Sequence, residues 1–255
     1  VRIDDLKVDS KDNTIVRGGG LIIKSSEPVT DEKLAEIKAA LESGSIIVTV
    51  NNTPILSLTK EDKEADGGKN ALMQAAASAS GQRKQELNKL AEKLDALRSD
   101  KSRKTVQLEK VVDVVVELVK TNAAGSVESI AQLIQLPKSV TVTVSITNEL
   151  YDSLKGKQIC VIRSHTDVNG SVTTAELPAA LGGTKDNYVL TFQTDKASTF
   201  AILSYASVSG RQPNNTGSNS ASGTGNVKSS NTGDSSQMAL WLCSAAMAAA
   251  AIVVL

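Results

Sequence analysis

The chain has 255 residues, 28 of them basic and 28 acidic, and only 2% are aromatic. That length accommodates one or two domains with a sizeable buried core. Balanced charge and scarce rings exclude a basic, ring-studded nucleic-acid surface, and two cysteines are too few for a disulfide-built scaffold.

The first element is residues 13–24 (NTIVRGGGLIIK), two short extended runs around the turn Gly18-Gly19-Gly20. Val1 itself reads like the middle of a strand, which points to a piece of a longer chain. Thr30 is a good N-cap, with Asp31 and Glu32 placed where negative charge suits a helix start. Leu34, Ile37 and Leu41 then share one helical face, and Gly44 ends it. Residues 45–58 (SIIVTVNNTPILSL) read as strand, Asn-Asn turn and strand, with Pro54 keeping the second strand off a central position.

Residues 60–69 are polar and read as a loop. Residues 71–79 are small-residue helix material broken near Gly81. Leu87, Leu90, Leu94 and Leu97 then form an amphipathic stripe of about three turns, a packing face too short for a coiled coil. Residues 1–104 therefore read as a mixed α+β region with amphipathic helices near 30–43 and 82–99.

From Thr105 the period changes from 3.6 to 2. Residues 111–119 (VVDVVVELV) have the density of a buried strand. Val140, Val142, Val144 and Ile146 alternate with Thr141, Thr143 and Ser145. Further short runs at 159–163, 172–177, 188–193 and 200–205 are separated by turns at 167–170 and 182–187. Short alternating strands at this spacing predict an antiparallel, Ig-like β-sandwich over 105–208. The fold class expected is thus α+β to mainly β.

Catalytic chemistry finds little to use. His165 is the only histidine, and its strand-end position beside Arg163 suits a structural role better than a Ser-His-Asp arrangement. One histidine with Cys160 and Cys243 far apart cannot assemble the usual zinc ligands. Gly18-Gly19-Gly20 lacks the Lys-Ser/Thr of a phosphate loop. The acidic pairs Asp4-Asp5, Asp31-Glu32 and Glu61-Asp62 read as solvated. Asp167, Asn169 and Asp186 offer oxygen ligands of the kind calcium takes, and turn chemistry accounts for them equally well. No catalytic residue, cofactor or metal site is therefore expected.

The end of the chain is different in kind. Of the 29 residues 209–237, 21 are Ser, Gly, Asn or Thr, the composition of a disordered linker. Residues 238–255 (MALWLCSAAMAAAAIVVL) carry no charge. As a helix they would span about 27 Å, close to a bilayer core of roughly 30 Å, and Trp241 would sit at its interface. This predicts an apolar transmembrane or sorting helix. Ser229-Ser230-Asn231, a polar spacer and an apolar end also fit a GPI signal.

The run Asn231-Thr232-Gly233-Asp234 ahead of the apolar end resembles the LPxTG-like sorting signals of Gram-positive cell-wall surface proteins. Ser229 and Ser230 stand where that family has Leu and Pro. The resemblance implies a sortase cut between Thr232 and Gly233, attachment to peptidoglycan, and an extracellular, wall- or membrane-anchored location. A second resemblance lies in Val161-Ile162-Arg163-Ser164-His165, Leu190-Thr191-Phe192-Gln193-Thr194-Asp195 and Ser198-Thr199-Phe200-Ala201-Ile202. These blocks are similar to the membrane-proximal β-rich module of clostridial-type surface proteins, with Ala197 in place of an aromatic.

Together these features predict a non-catalytic display or stalk portion that positions upstream modules away from the envelope. Two alternatives stand beside it: an ancillary module of a secreted carbohydrate-active enzyme, or a tethered adhesion domain whose first hundred residues take a host protein or glycan.

Overall fold

The computed structural model describes residues 6–9, 11–44, 46–51, 55–56, 58–122, 125–207 and 250–253. The linker 209–237, the motif Asn231-Thr232-Gly233-Asp234 and residues 238–249 lie outside them. Residues 1–208 and 248–255 belong to one compact unit.

Three short strands open the chain as a meander: β1 (Leu6–Asp9), β2 (Thr14–Arg17) and β3 (Leu21–Lys24). Gly19 and Gly20 turn between β2 and β3 at φ +91° and +90°, a region that side chains with a Cβ rarely adopt. The helix α1 (Asp31–Ser43) begins where Thr30 Oγ1 accepts the Lys33 N–H, and it ends at Gly44 in the left-handed region. β4 (Ile46–Asn51) follows. Beyond it, Ile55 and Leu56 lie in a bend, so they do not continue as a strand.

The polar stretch expected as a loop is a short helix, α2 (Lys60–Asp66). Thr59 and Asp62 form a reciprocal capping box that satisfies its first orphan donors. Its C-cap Gly67 is obligatory twice over. Its φ is +69°, and a Cβ there would stand 2.5 Å from the Val106 carbonyl. α3 (Lys69–Ser78) and α4 (Gly81–Ser99) complete a helical layer.

The β-rich half is built on two strands of 19 residues each, β5 (Arg103–Thr121) and β6 (Val127–Ser145). The helix α5 (Asn148–Leu154), started by Thr147, leads to β7 (Gln158–Thr166), β8 (Val172–Thr184), β9 (Asn187–Lys196) and β10 (Ser198–Ser207). Their pairings run β5-β10-β7-β8-β9-β6 and return to β5, closing a six-stranded antiparallel barrel. Asp113 and Val114 pair at once with β10 and β4, whereas Glu117 and Leu118 pair with β4 and β6. Thus β10 and β6 follow one another along the same edge of β5. The two long strands splay apart beyond their hairpin and take the other four between them. The β1-β2-β3 meander extends the sheet outside β6, and β4 extends it outside β5.

This closed barrel replaces the expected Ig-like sandwich. The sandwich reading needs short strands that each belong to one sheet. β5 and β6 are far longer than their apolar runs, and the extra length gives each a second partner on the same edge. The expected C-terminal apolar helix is also corrected. Ala250–Val253 form a strand, β11, antiparallel to β4, and the β-branched Ile252 and Val253 suit extended backbone. No helix among the described residues is long and apolar enough to cross a membrane.

Where β5, β7 and β10 run side by side, the barrel wall is buried on both faces. Inside lie Val112, Val114, Val161, Leu190, Phe192, Phe200 and Ile202, with Phe192 and Phe200 ring centroids 4.9 Å apart. Outside, Val106, Leu108, Cys160, Ile162, Ala201 and Leu203 meet Leu72, Leu87, Leu90, Leu94 and Leu97 of the helical layer. Each of those helix leucines, fully removed from water, contributes about 2 kcal/mol. Alternation along β7 and β10 thus sends successive side chains into different cores.

Candidate functional site

The densest polar chemistry lies where α4 crosses the outer face of the barrel. Leucines at 87, 90, 94 and 97 hold α4 against the wall, and the same face carries Glu86 inward near its start. Glu86 is 5% exposed. Its Oε1 accepts from the Thr166 N–H at 3.0 Å, the Thr166 hydroxyl at 2.9 Å and the Gln82 amide at 3.1 Å. Its Oε2 lies 2.7 Å from Thr199 Oγ1. The same hydroxyl lies 2.9 Å from Asp113 Oδ1, and Asp113 Oδ2 pairs with the Arg83 guanidinium. Burial pushes the Asp113 carboxyl above its ordinary range, against the Thr199 hydrogen bond and Arg83. Ser164, opposite Thr199 in register, is fully buried and its hydroxyl has no partner.

Two further ties join the helical layer to the wall. Glu109 on β5 receives Lys63 Nζ at 2.6 Å and the Ser204 hydroxyl at 2.6 Å, with Lys157 Nζ at 3.6 Å. Glu176 on β8 receives Lys93 at 2.9 Å and Arg103 at 2.8 Å. Burial opposes ionisation of Glu176, and those two cations outweigh it and hold its carboxyl below the usual range. Arg103 also lies over the Tyr205 ring at 4.9 Å. Every carboxylate here is engaged by donors from a different element, which is the chemistry of docking two layers.

A cavity of about 450 Å³ adjoins the seam, lined by Ile55, Leu56, Ala71, Ala75, Arg83 and Leu87 among others. Arg83 is the group it shares with the seam. Glu86 and Asp113 themselves are covered.

His165 is 1% exposed. Its Nδ1 lies 3.1 Å from the Ala197 carbonyl and 3.0 Å from Ser198 Oγ. Because the Ser198 hydroxyl donates to that carbonyl at 2.6 Å, the ring proton is assigned to Nδ1. Burial lowers the His165 pKa. Burial also pushes the Cys160 thiol up to about 11, which makes it a packing residue. Arg163 donates to Asp195 at 2.5 Å and Thr194 at 3.2 Å. The blocks 161–165, 190–195 and 198–202, separate in sequence, therefore meet as one hydrogen-bonded cluster.

The oxygen donors weighed for calcium are not brought together. Asp167 caps the β7–β8 hairpin, accepting from the Asn169 and Ser171 N–H groups at 2.9 Å. Asp186 sits in the hairpin at the other end of β8 and bonds Asn148. Thirteen extended residues separate the two hairpins, roughly 40 Å of strand. Among the described residues, no group of three or more His, Cys, Asp or Glu side chains is placed to hold a metal ion.

The sequence reading missed Glu86, Asp113 and Thr199. Asp113 was the available signal: a carboxylate set among valines, in a run whose other acid is Glu117, must find partners when that run is buried. No family model, no curated protein and no solved structure matches this chain.

Proposed function

We propose that this chain is a non-catalytic display module of a bacterial surface protein, joined to peptidoglycan by a sortase and holding upstream modules away from the envelope. The observation that carries the reading is the order of parts. A β-rich module runs directly into the Ser/Gly/Asn/Thr-rich stretch 209–237, which carries Thr232-Gly233 close to its end, and then into the uncharged residues 238–255. Sortase acts between Thr232 and Gly233, so the mature chain ends at Thr232 and no longer contains residues 250–253.

The fold supports a positional role. The strand that leads into the linker is β10, which is paired along both edges, to β5 and to β7. Load entering from a wall attachment would have to shear two ladders at once, and the rows of hydrogen bonds resist that together. The seam carboxylates are covered, in keeping with a module that works by position. Deleting the sortase in the producing cell tests the reading: the protein should move from the wall fraction to the membrane and medium. Unchanged wall attachment would overturn it.

A further inference from the structure

The seam beneath α4 contains more hydrogen-bond acceptors than protons to fill them. Thr199 has one hydroxyl proton, yet its Oγ1 stands 2.7 Å from Glu86 Oε2 and 2.9 Å from Asp113 Oδ1. A hydroxyl donates once. If both carboxylates are ionised, one of these contacts sets an anionic oxygen against an oxygen lone pair. Both side chains are nearly removed from water, at 5% and 6% exposure, where such a contact is costly.

We propose that Glu86 and Asp113 hold a single proton between them through the Thr199 hydroxyl, making this seam a proton-dependent latch between the helical layer and the barrel. The proton resides on Asp113 Oδ1 and is donated to Thr199 Oγ1, whose own proton goes to Glu86 Oε2. Glu86 is the better anion, because its Oε1 already takes three donors from Thr166 and Gln82. Asp113 Oδ2 stays free to accept from Arg83.

Four described elements bring polar or charged groups to the pair. α4 supplies Glu86 and Arg83, and Arg83 is half exposed. From β7 comes His165, which burial keeps toward its neutral form. β10 contributes Ser198 and Thr199, and β4 sets Asn51 opposite Asp113. Among these described residues, Arg83 is the cation that meets the two carboxyls, and it pairs with Asp113.

The direction with pH follows. A carboxyl raised in the folded state releases its proton later than in the unfolded chain, so it favours folding at acid pH. That contribution fades as pH climbs from the ordinary value of 3.8 through the raised one. Deprotonation leaves two anions astride one hydroxyl, and α4 lifts more readily from β5, β7 and β10.

The test uses the full chain. Carbon-detected NMR of the Glu86 and Asp113 carboxyls should show one proton retained by the pair at pH values where free carboxyls have lost theirs. Amide exchange in α4, corrected for its intrinsic pH dependence, should speed up across the same range, about tenfold for each pH unit of displacement. Asp113→Asn places an amide donor on Thr199 and keeps an acceptor for Arg83, so its α4 protection should not change with pH. Both carboxyls titrating at or below their ordinary values would overturn the proposal, as would identical pH profiles for wild type and Asp113→Asn. The carboxyl titration needs no variant and decides the matter even if Asp113→Asn fails to fold.

Discussion

Phe200→Ala is the sharpest perturbation of the barrel interior. Phe200 is fully buried, and it faces Phe192 with ring centroids 4.9 Å apart at a tilt of 41°. Around it stand Val112, Val161 and Ile202, aliphatic side chains on three paired strands that cannot collapse into the space without breaking register. Truncation forfeits the burial of the ring and leaves a cavity, which costs about 3–5 kcal/mol. Roughly 1 kcal/mol of that is the lost ring pair. With a urea m-value of about 3 kcal/mol per molar for a domain this size, the midpoint should fall by about 1–1.7 M. Thermal unfolding should shift down by roughly 6–20 °C. Val8→Ala on β1 is the control: Val8 is 40% exposed, and its loss should stay within about 0.5 kcal/mol. If Phe200→Ala cost less than about 1.5 kcal/mol, the ring would not be enclosed as described and the closed barrel would be in error.

Other outcomes can be stated more briefly. Ser164→Ala removes a fully buried hydroxyl without a partner, so it should raise stability by about 1 kcal/mol in chemical denaturation; a loss of that size would reveal a hydrogen bond there. Thr105 is a β-branched residue at φ +49°, where the strain of about 1–2 kcal/mol exceeds the cost of glycine. Thr105→Gly should therefore be neutral to stabilising by up to roughly 1 kcal/mol, and a clear destabilisation would refute the assigned backbone. With its thiol pushed up to about 11, Cys160 should resist a thiol reagent at pH 8 in a Cys243→Ser chain until urea unfolds it. Labelling at the rate of a free thiol in the native state would contradict its burial.

Local features of the fold were legible because they depend on neighbours in sequence. Thr30 and Gly44 bound α1, and the leucines at 87, 90, 94 and 97 face the barrel because helical periodicity places them together. Helix α2 was missed because it buries no residue and shows no apolar stripe, although Thr59 and Asp62 carry its capping box. The first half of β5 was obscured for a related reason. Lys104, Gln107, Glu109 and Lys110 interrupt any apolar run there, whereas Glu109 is buried, paired with Lys63 and hydrogen-bonded by the Ser204 hydroxyl. Ring closure depends on which strand edges meet across long stretches of chain, and no periodicity encodes that. The same holds for the seam: Glu86, Asp113 and Thr199 come from three elements and become a cluster only once the barrel closes.

The proposal that a sortase joins this chain to the cell wall is tested most directly by mass spectrometry of wall-released protein. After enzymatic digestion of peptidoglycan, the C-terminal fragment should end at Thr232 and carry a wall peptide on its carboxyl group. Recovery of an intact peptide spanning Thr232 and Gly233 from the wall fraction, with no peptide ending at Thr232, would contradict the account.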